Sequence, residues 1–254
     1  MNKSELKSFL DFKVEQYNTS HFIETDPIQI PHQFSKKENI EIAGFLTATI
    51  AWGNRKSILK NADRLMELLD RSPYDFVINH SPADLEKLEN FVHRTFQGID
   101  LQYFIKALKN IYLNYGGIEK IFSTYAEERS LQPAIHHFKQ AFFELPHARR
   151  TEKHVSDPQK NSAAKRINMY LRWMVRKDPS GVDFGIWDSL QSQQLSCPLD
   201  VHSGNVARKL KLLKRKANDA KALMELDNSL RKMDPVDPVK YDFALFGIGV
   251  NEKL

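Results

Sequence analysis

The segment from Ile40 to Ile50 constrains the fold more than any other, because apolar side chains lie on nearly every side of it. Its apolar residues are Ile40, Ile42, Ala43, Phe45, Leu46 and Ile50. A helix without a polar face is stable only where other helices surround it. Almost every other segment also has apolar residues at helical spacing. The sequence therefore predicts an all-α fold with this helix at its centre.

Trp52-Gly53-Asn54 ends the central helix, and amphipathic patterns then predict a middle bundle of helices. One amphipathic helix is predicted over residues 58–71, and the helices of the bundle itself span residues 73–79, 83–95, 100–115, 117–127 and 131–144. Residues 146–161 are polar and short of apolar anchors, which predicts a long loop. The remaining third is expected to hold helices over 162–177 and 203–216, and a last helix that begins at Pro238 and is stopped by Gly247 and Gly249.

The composition excludes several kinds of fold and site. With 10 Gly and 11 Pro in 254 residues, the chain disfavours sandwiches, barrels and Rossmann-type turns. The single cysteine, Cys197, excludes a disulfide framework, a Cys-based zinc site and a Cys-ligated iron–sulfur cluster. His136 and His137 are adjacent, so they point in different directions on a helix, and no Asp or Cys stands at ligand spacing. We expect no metal site and no cofactor.

The net charge of +5 is compatible with a polyanionic partner but does not by itself identify one. No apolar run approaches the roughly 20 residues that cross a bilayer. The N-terminal MNKSELKSFLDFKVEQ fits an amphipathic helix without a signal-peptide core. We expect a cytoplasmic protein with no membrane partner, and a monomer as the default state.

Asp200 precedes a helix of alternating apolar and basic positions, within the segment CPLDVHSGNVARKLKLL. The free N–H groups and partial positive charge of a helix N-terminus stabilise a carboxylate placed there. Taken alone, Asp200 fits an ordinary helix cap, and this structural interpretation is the favoured one.

Lys165 falls in the first turn of the helix predicted after the polar loop. A lysine drawn into a cleft from such a position loses solvation and becomes a nucleophilic amine. Taken alone, it fits a solvated surface group or a phosphate contact better.

Together the two elements resemble the helix-hairpin-helix DNA glycosylase/lyase superfamily. Its pattern is a hairpin ending in a catalytic Lys, then V-D-T-H and a helix of type R-V-x-x-R-L. Here Leu199-Asp200-Val201-His202 stands for that signature, and Val206-Ala207-Arg208-Lys209-Leu210 stands for its helix. Lys165 and Asp200 are 35 positions apart, which is more similar to the archaeal 8-oxoguanine DNA glycosylases than to the endonuclease III branch.

Most of the chain is also similar to a bacterial family known only as a domain of unknown function, which we relate to that archaeal branch. The similarity lies in EIAGFLTATIAWGNRKSI, SAAKRINMYLRWMVR and DPVKYDFALFGIG. The hairpin departs from the glycosylase pattern, because Asn161 and Ala163 stand where glycines let backbone amides approach a phosphate. Val201 replaces the usual Thr. We expect a distorted hairpin.

The resemblance implies an all-α, two-lobed helical bundle. Residues 1–36 and 146–254 would form the lobe that carries the hairpin and the catalytic segment. Residues 37–145 would form a helical bundle lobe, with a cleft between the two.

The resemblance also implies a mechanism. A damaged nucleotide would be flipped into the cleft, where Lys165 attacks C1′ and forms a Schiff base. Asp200 would stabilise the charge that develops on the sugar and help Lys165 lose a proton. Trp52 and His202 are the candidates for the base pocket, although a tryptophan at a helix end fits core packing as well. Basic candidates for DNA-phosphate contacts, each of which also fits a solvated face, are Arg166, Arg208, Lys209, Lys211 and Lys214.

The expected function is excision of an oxidised purine, similar to 8-oxoguanine, from DNA together with strand nicking. Asn161 and Ala163 favour an alternative, a catalytically silent nucleic-acid-binding protein. A second alternative, a helical scaffold for protein partners, predicts no salt-dependent affinity for DNA.

Overall fold

The computed structural model describes residues 1–252, and most of them are helical, as the sequence predicts. A small antiparallel hairpin, β1 (Val92–His93) and β2 (Phe96–Gln97), is the departure from an all-helical chain within this range. The α-helices are α1 (Lys3–Tyr17), α2 (Ser20–Thr25), α3 (Lys37–Ile50), α4 (Arg55–Leu68), α5 (Pro73–Asn79), α6 (Pro82–Glu86), α7 (Gly98–Asn114), α8 (Ile118–Thr124), α9 (Gln132–Phe142), α10 (Lys165–Val175), α11 (Val201–Lys209), α12 (Ala220–Arg231) and α13 (Tyr241–Asn251).

Helix α3 is the central helix that its sequence predicts. Every residue from Ile40 to Ile50 is buried. Helices α4, α5 and α10 pack around it, which explains how a helix without a polar face remains stable.

Buried apolar side chains form two cores. The first core joins α3, α4, α5 and α7–α10, and the second joins α1, α11, α12 and α13. Helix α13 connects them, because Phe243 lies in the first core and Leu245 in the second. The lobe boundaries implied by the resemblance differ from this arrangement. The chain from Val155 to Leu195, α10 included, packs mainly into the first core, since α10 buries its apolar face against α3.

Two predicted helices end at least seven residues early in the structure. The helix predicted over 83–95 ends at Glu86, because His93 and Phe96 are buried while their neighbours Val92 and Gln97 are exposed, and this alternation forms the hairpin. The helix predicted over 203–216 ends at Lys209, and Lys211 then turns the chain with φ +60°.

The prediction that glycines stop the last helix is wrong. Helix α13 continues through Gly247 and Gly249 to Asn251. A Cβ atom at Gly247 would lie 2.3 Å from the ring of Tyr17, and one at Gly249 would lie 3.0 Å from His202 Cβ. These glycines let α1 and α11 approach the α13 backbone closely, so their role is in packing.

Candidate functional site

Lys165 is the first residue of α10 and follows a sharply turned segment. Asn161 (φ +61°) and Ala164 (φ +43°) both have left-handed backbone conformations. Asn161 also accepts a hydrogen bond from the Ala220 N–H at 3.3 Å, which ties this segment to α12. The segment therefore makes tight turns without the glycines of the glycosylase pattern, and it presents Lys165 at a helix start.

Asp200 caps α11, as the structural interpretation predicts. Its Oδ1 accepts a hydrogen bond from the Ser203 N–H at 2.9 Å, and Ser203 Oγ accepts one from the Asp200 N–H at 2.9 Å. The other carboxylate oxygen, Oδ2, lies 3.8 Å from Lys165 Nζ. The side chains of Lys165 and Asp200 are 31% and 20% exposed. Capping and pairing with Lys165 thus use different oxygens of one carboxylate.

A cavity of about 830 Å³ opens beside this pair, which is large enough for a small-molecule or nucleotide ligand. Five of the predicted site residues line it, namely Trp52, Lys165, Arg166, Asp200 and His202. Its aromatic lining also includes Phe22, Phe243 and Phe246. The fold therefore brings together residues that stand far apart in the sequence.

Trp52 and Arg166 form one wall of the cavity. The Arg166 guanidinium lies over the Trp52 ring at 4.8 Å and donates to the backbone carbonyls of Thr49 and His154. Burial lowers the pKa of Arg166 to about 10. Arg166 is thus held by contacts within the protein, whereas Trp52 is partly exposed and borders the cavity.

His202 also lines the cavity and is exposed, on the first turn of α11. Its ring lies 6.3 Å from the ring of Phe246 in an edge-to-face arrangement. Neighbouring Val201 is also exposed. Both side chains are therefore accessible to a ligand in the cavity.

The predicted phosphate-binding residues of the second core fall into two groups. Lys209, Lys211 and Lys214 are exposed. Arg208 instead donates to the backbone carbonyl of Arg215 at 2.8 Å and to Asn218 Oδ1. Arg208 therefore holds the loop that carries the exposed lysines.

Asn218 connects this loop to the candidate site. Its Nδ2 donates to the backbone carbonyl of Asp200 at 2.8 Å. A Cβ atom at Gly204 would lie 2.8 Å from Asn218 Oδ1. A glycine at this position of α11 allows Asn218 to reach Asp200.

Sequence reasoning missed three charged residues at the inner end of the cavity: Asp26, Arg172 and Asp242. Arg172 pairs with Asp242 and with Asp183, the latter at 3.1 Å. Burial raises the pKa of Asp242 to about 6, although Arg172 opposes this shift. Burial also raises the pKa of Asp26. Nothing in the sequence places Asp26 beside α10.

No group of three or more His, Cys, Asp or Glu residues is arranged to hold a metal ion within residues 1–252. Over the same range, none of the helices combines the length and apolar character needed to cross a bilayer.

Comparison with known proteins identifies a family for this chain. Residues 26–251 match the family model described as "Protein of unknown function (DUF2400)". Curated proteins and solved structures give no match. The matched range contains the cavity-lining residues Trp52, Lys165, Asp200 and His202. Because the match covers most of the sequence, the chain belongs to the DUF2400 family of proteins of unknown function.

Proposed function

We propose that this protein is a DNA base-excision glycosylase with AP-lyase activity that removes an oxidised purine similar to 8-oxoguanine. The observation that carries the proposal is the position of Lys165 Nζ, 3.8 Å from Asp200 Oδ2 at the wall of a nucleotide-sized cavity. An amine beside a carboxylate, both partly exposed to a cavity, has the parts needed for nucleophilic catalysis with proton transfer.

The cavity suits a flipped nucleotide. A base within a duplex is unreachable, so an enzyme that acts on it must hold the base outside the stack. Trp52, stiffened by Arg166 above its ring, offers an aromatic face for stacking. Phe22 and Phe246 add further apolar lining.

The proposed chemistry begins when Asp200 accepts a proton from the Lys165 ammonium. The free amine attacks C1′, and the base leaves with the electrons of the N-glycosidic bond and takes up a proton. The sugar ring then opens to a Schiff base between Nζ and C1′. Loss of a proton from C2′ eliminates the 3′ phosphate and nicks the strand, and water releases Lys165.

Exposed lysines support a nucleic-acid partner. Lys209, Lys211 and Lys214 project from α11 and the loop after it. Through Arg208 and Asn218 this loop is hydrogen-bonded to the Asp200 backbone. Contact of the lysines with DNA phosphates would therefore bring the strand beside the proposed catalytic pair.

Borohydride trapping on duplexes that carry 8-oxoguanine or an abasic site tests the proposal. We expect a covalent adduct with the natural chain and none with Lys165→Ala. Lys106→Ala is the matched control, because it removes an exposed lysine of α7 that lies outside the cavity and outside the proposed DNA contacts. It should trap to the same extent at saturating protein.

The alternative functions predict different results in the same assay. A catalytically silent nucleic-acid-binding protein would bind the duplexes with a salt-dependent affinity and yield no adduct. A scaffold for protein partners would show neither property. Either result contradicts the proposed chemistry.

A further inference from the structure

The tip of the β1–β2 hairpin is a rigid, positively charged projection beside the cavity wall. His93, buried at the base of this tip, accepts a hydrogen bond from Asn61 Nδ2 at 3.0 Å through Nδ1, and its Nε2 donates to the Trp52 carbonyl at 3.3 Å. The His93 ring also meets the Trp52 ring edge-on at 5.0 Å. The hairpin is therefore fixed to the segment that carries Trp52.

Arg94 occupies the tip in a conformation that favours glycine. Its φ is +55°, and such a left-handed conformation costs an ordinary L-residue roughly 1–2 kcal/mol. Backbone strain of this kind concentrates at functional sites. A side chain at a position where glycine would be easier indicates that the side chain itself has a use.

The Arg94 side chain lies against Gly53. Its Nη1 lies 2.9 Å from where a Cβ atom of Gly53 would be, and Gly53 lines the cavity. Gly53 has φ +103°. A glycine here thus accommodates both the turn after α3 and the Arg94 guanidinium above it.

The Arg94 guanidinium has no partner among the residues that the structure describes. Nearby Arg150 donates to the Thr95 carbonyl at 2.8 Å and pairs with Asp100 at 3.3 Å. Arg94 makes no comparable bond, so its N–H donors are free for a ligand. Burial lowers the pKa of His93, and the charges of Arg94 and Arg166 add to this effect.

We infer that Arg94 binds a backbone phosphate of the DNA strand whose nucleotide enters the cavity, and this inference rests on the proposed nucleic-acid function. A guanidinium matches the geometry of a phosphate and can bind it through two N–H donors. The contact comes from the first core, whereas Lys209, Lys211 and Lys214 are carried by the second. The strand would thus contact residues carried by both cores.

Binding of a duplex with a tetrahydrofuran abasic analogue, followed by fluorescence anisotropy between about 50 and 200 mM salt, tests this inference. Arg94→Gly removes the charge and also relieves the backbone strain, so the variant should fold. Without this one phosphate interaction, the slope of log affinity against log salt should be smaller by about one. Arg94→Lys should keep most of the slope.

Arg129→Ala is the matched control, because Arg129 is exposed and lines a different cavity. It should behave as the natural chain. An Arg94→Gly slope equal to that of Arg129→Ala and of the natural chain overturns the inference, and so does a natural chain without salt-dependent binding.

Borohydride trapping separates this inference from the proposed chemistry. With saturating protein, Arg129→Ala should trap as much adduct as the natural chain, because Arg129 lines a different cavity from the Lys165–Asp200 pair. If the natural chain binds DNA but gives no adduct, the proposed chemistry fails, and the salt slopes still decide the role of Arg94.

Discussion

Lys165 and Asp200 approach each other through the carboxylate oxygen that the helix cap leaves free. Asp200 Oδ1 accepts the Ser203 N–H at 2.9 Å, while Oδ2 lies 3.8 Å from Lys165 Nζ. Because one oxygen caps the helix and the other lies near Lys165, substitutions of Asp200 can affect folding and the proposed chemistry separately.

Asp200→Asn should keep the fold and lose the chemistry, since an amide oxygen can replace Oδ1 in the cap while the amide nitrogen cannot take a proton from Lys165. Asp200→Ala should lose both, with a fall in the free energy of unfolding of about 1 kcal/mol from the missing cap. Urea unfolding and borohydride trapping measure the two effects. Full trapping by Asp200→Asn would show that Asp200 serves only as a cap.

Asn218→Ala should slow the trapping reaction at saturating DNA, because it removes the 2.8 Å hydrogen bond to the Asp200 carbonyl. The same change removes the hydrogen bond from the Arg208 guanidinium to Asn218 Oδ1, so the free energy of unfolding should fall by about 1 kcal/mol. Trapping rates measured across pH distinguish a role of Asn218 in positioning Asp200 from a general loss of folded protein. A pH profile of unchanged shape and a rate that follows only the folded fraction would contradict a positioning role.

Replacing Lys209, Lys211 and Lys214 together by alanine should weaken DNA binding. The slope of log affinity against log salt should become smaller by about 0.9 for each phosphate that the variant no longer binds.

Arg166→Ala should act differently, because the Arg166 guanidinium donates to two backbone carbonyls and lies over the Trp52 ring. Its main effect should be a loss of about 1–3 kcal/mol in the free energy of unfolding. Salt titrations and urea unfolding of both variants check this contrast. Equal salt slopes in the two variants would contradict it.

Gly247→Ala should destabilise the protein, although helix propensity alone predicts a gain of about 1 kcal/mol for alanine in a helix. The new Cβ atom would lie 2.3 Å from the Tyr17 ring, and overpacking of this kind typically costs about 1–3 kcal/mol. Urea unfolding gives the sign directly. A more stable variant would show that α1 can move away from α13 at little cost.

Asp227→Asn should make the protein more stable at neutral pH. Asp227 is buried in α12, and burial raises its pKa to about 6, whereas the pKa of an aspartate in the unfolded chain is about 3.9. The contribution of the Asp227 carboxyl to the free energy of unfolding is therefore most favourable below about pH 4, and it is lost as the pH rises through about 6. The variant should gain about 1–3 kcal/mol at about pH 7 and little at about pH 4. Urea unfolding at both pH values measures this difference, and an equal gain at both would contradict it.

Helical periodicity predicted the elements that bury one face or all faces. Helix α3 follows its pattern closely, whereas α10 begins at Lys165, three residues after the predicted start at residue 162. The hairpin was missed because two residues per strand are too few for a period-two pattern to stand out. The glycines of α13 were misinterpreted because their role depends on Tyr17 and His202, which are distant in sequence.

The catalytic candidates were found through short motifs, whereas their surroundings depend on tertiary contacts. Lys165 and Asp200 each open a helix, and helix starts leave recognisable signals. Asp242 and Asp26 reach the cavity only because α13 and the segment after α2 pack beside α10. Arg166 looked like a surface cation from the sequence, and only the fold shows that backbone carbonyls occupy its donors.

The connection between the two cores has a consequence for when the proposed site would react. Lys165 belongs to a helix of the first core, and Asp200 opens a helix of the second. The distance between amine and proton acceptor is therefore set by how the two halves of the molecule are docked. A strand bound by both halves would hold them in one arrangement and so fix the distance between Lys165 Nζ and Asp200 Oδ2, which is 3.8 Å without DNA. A substitution in α13, the helix that connects the two cores, would thus change the distance between Lys165 and Asp200 without touching either side chain.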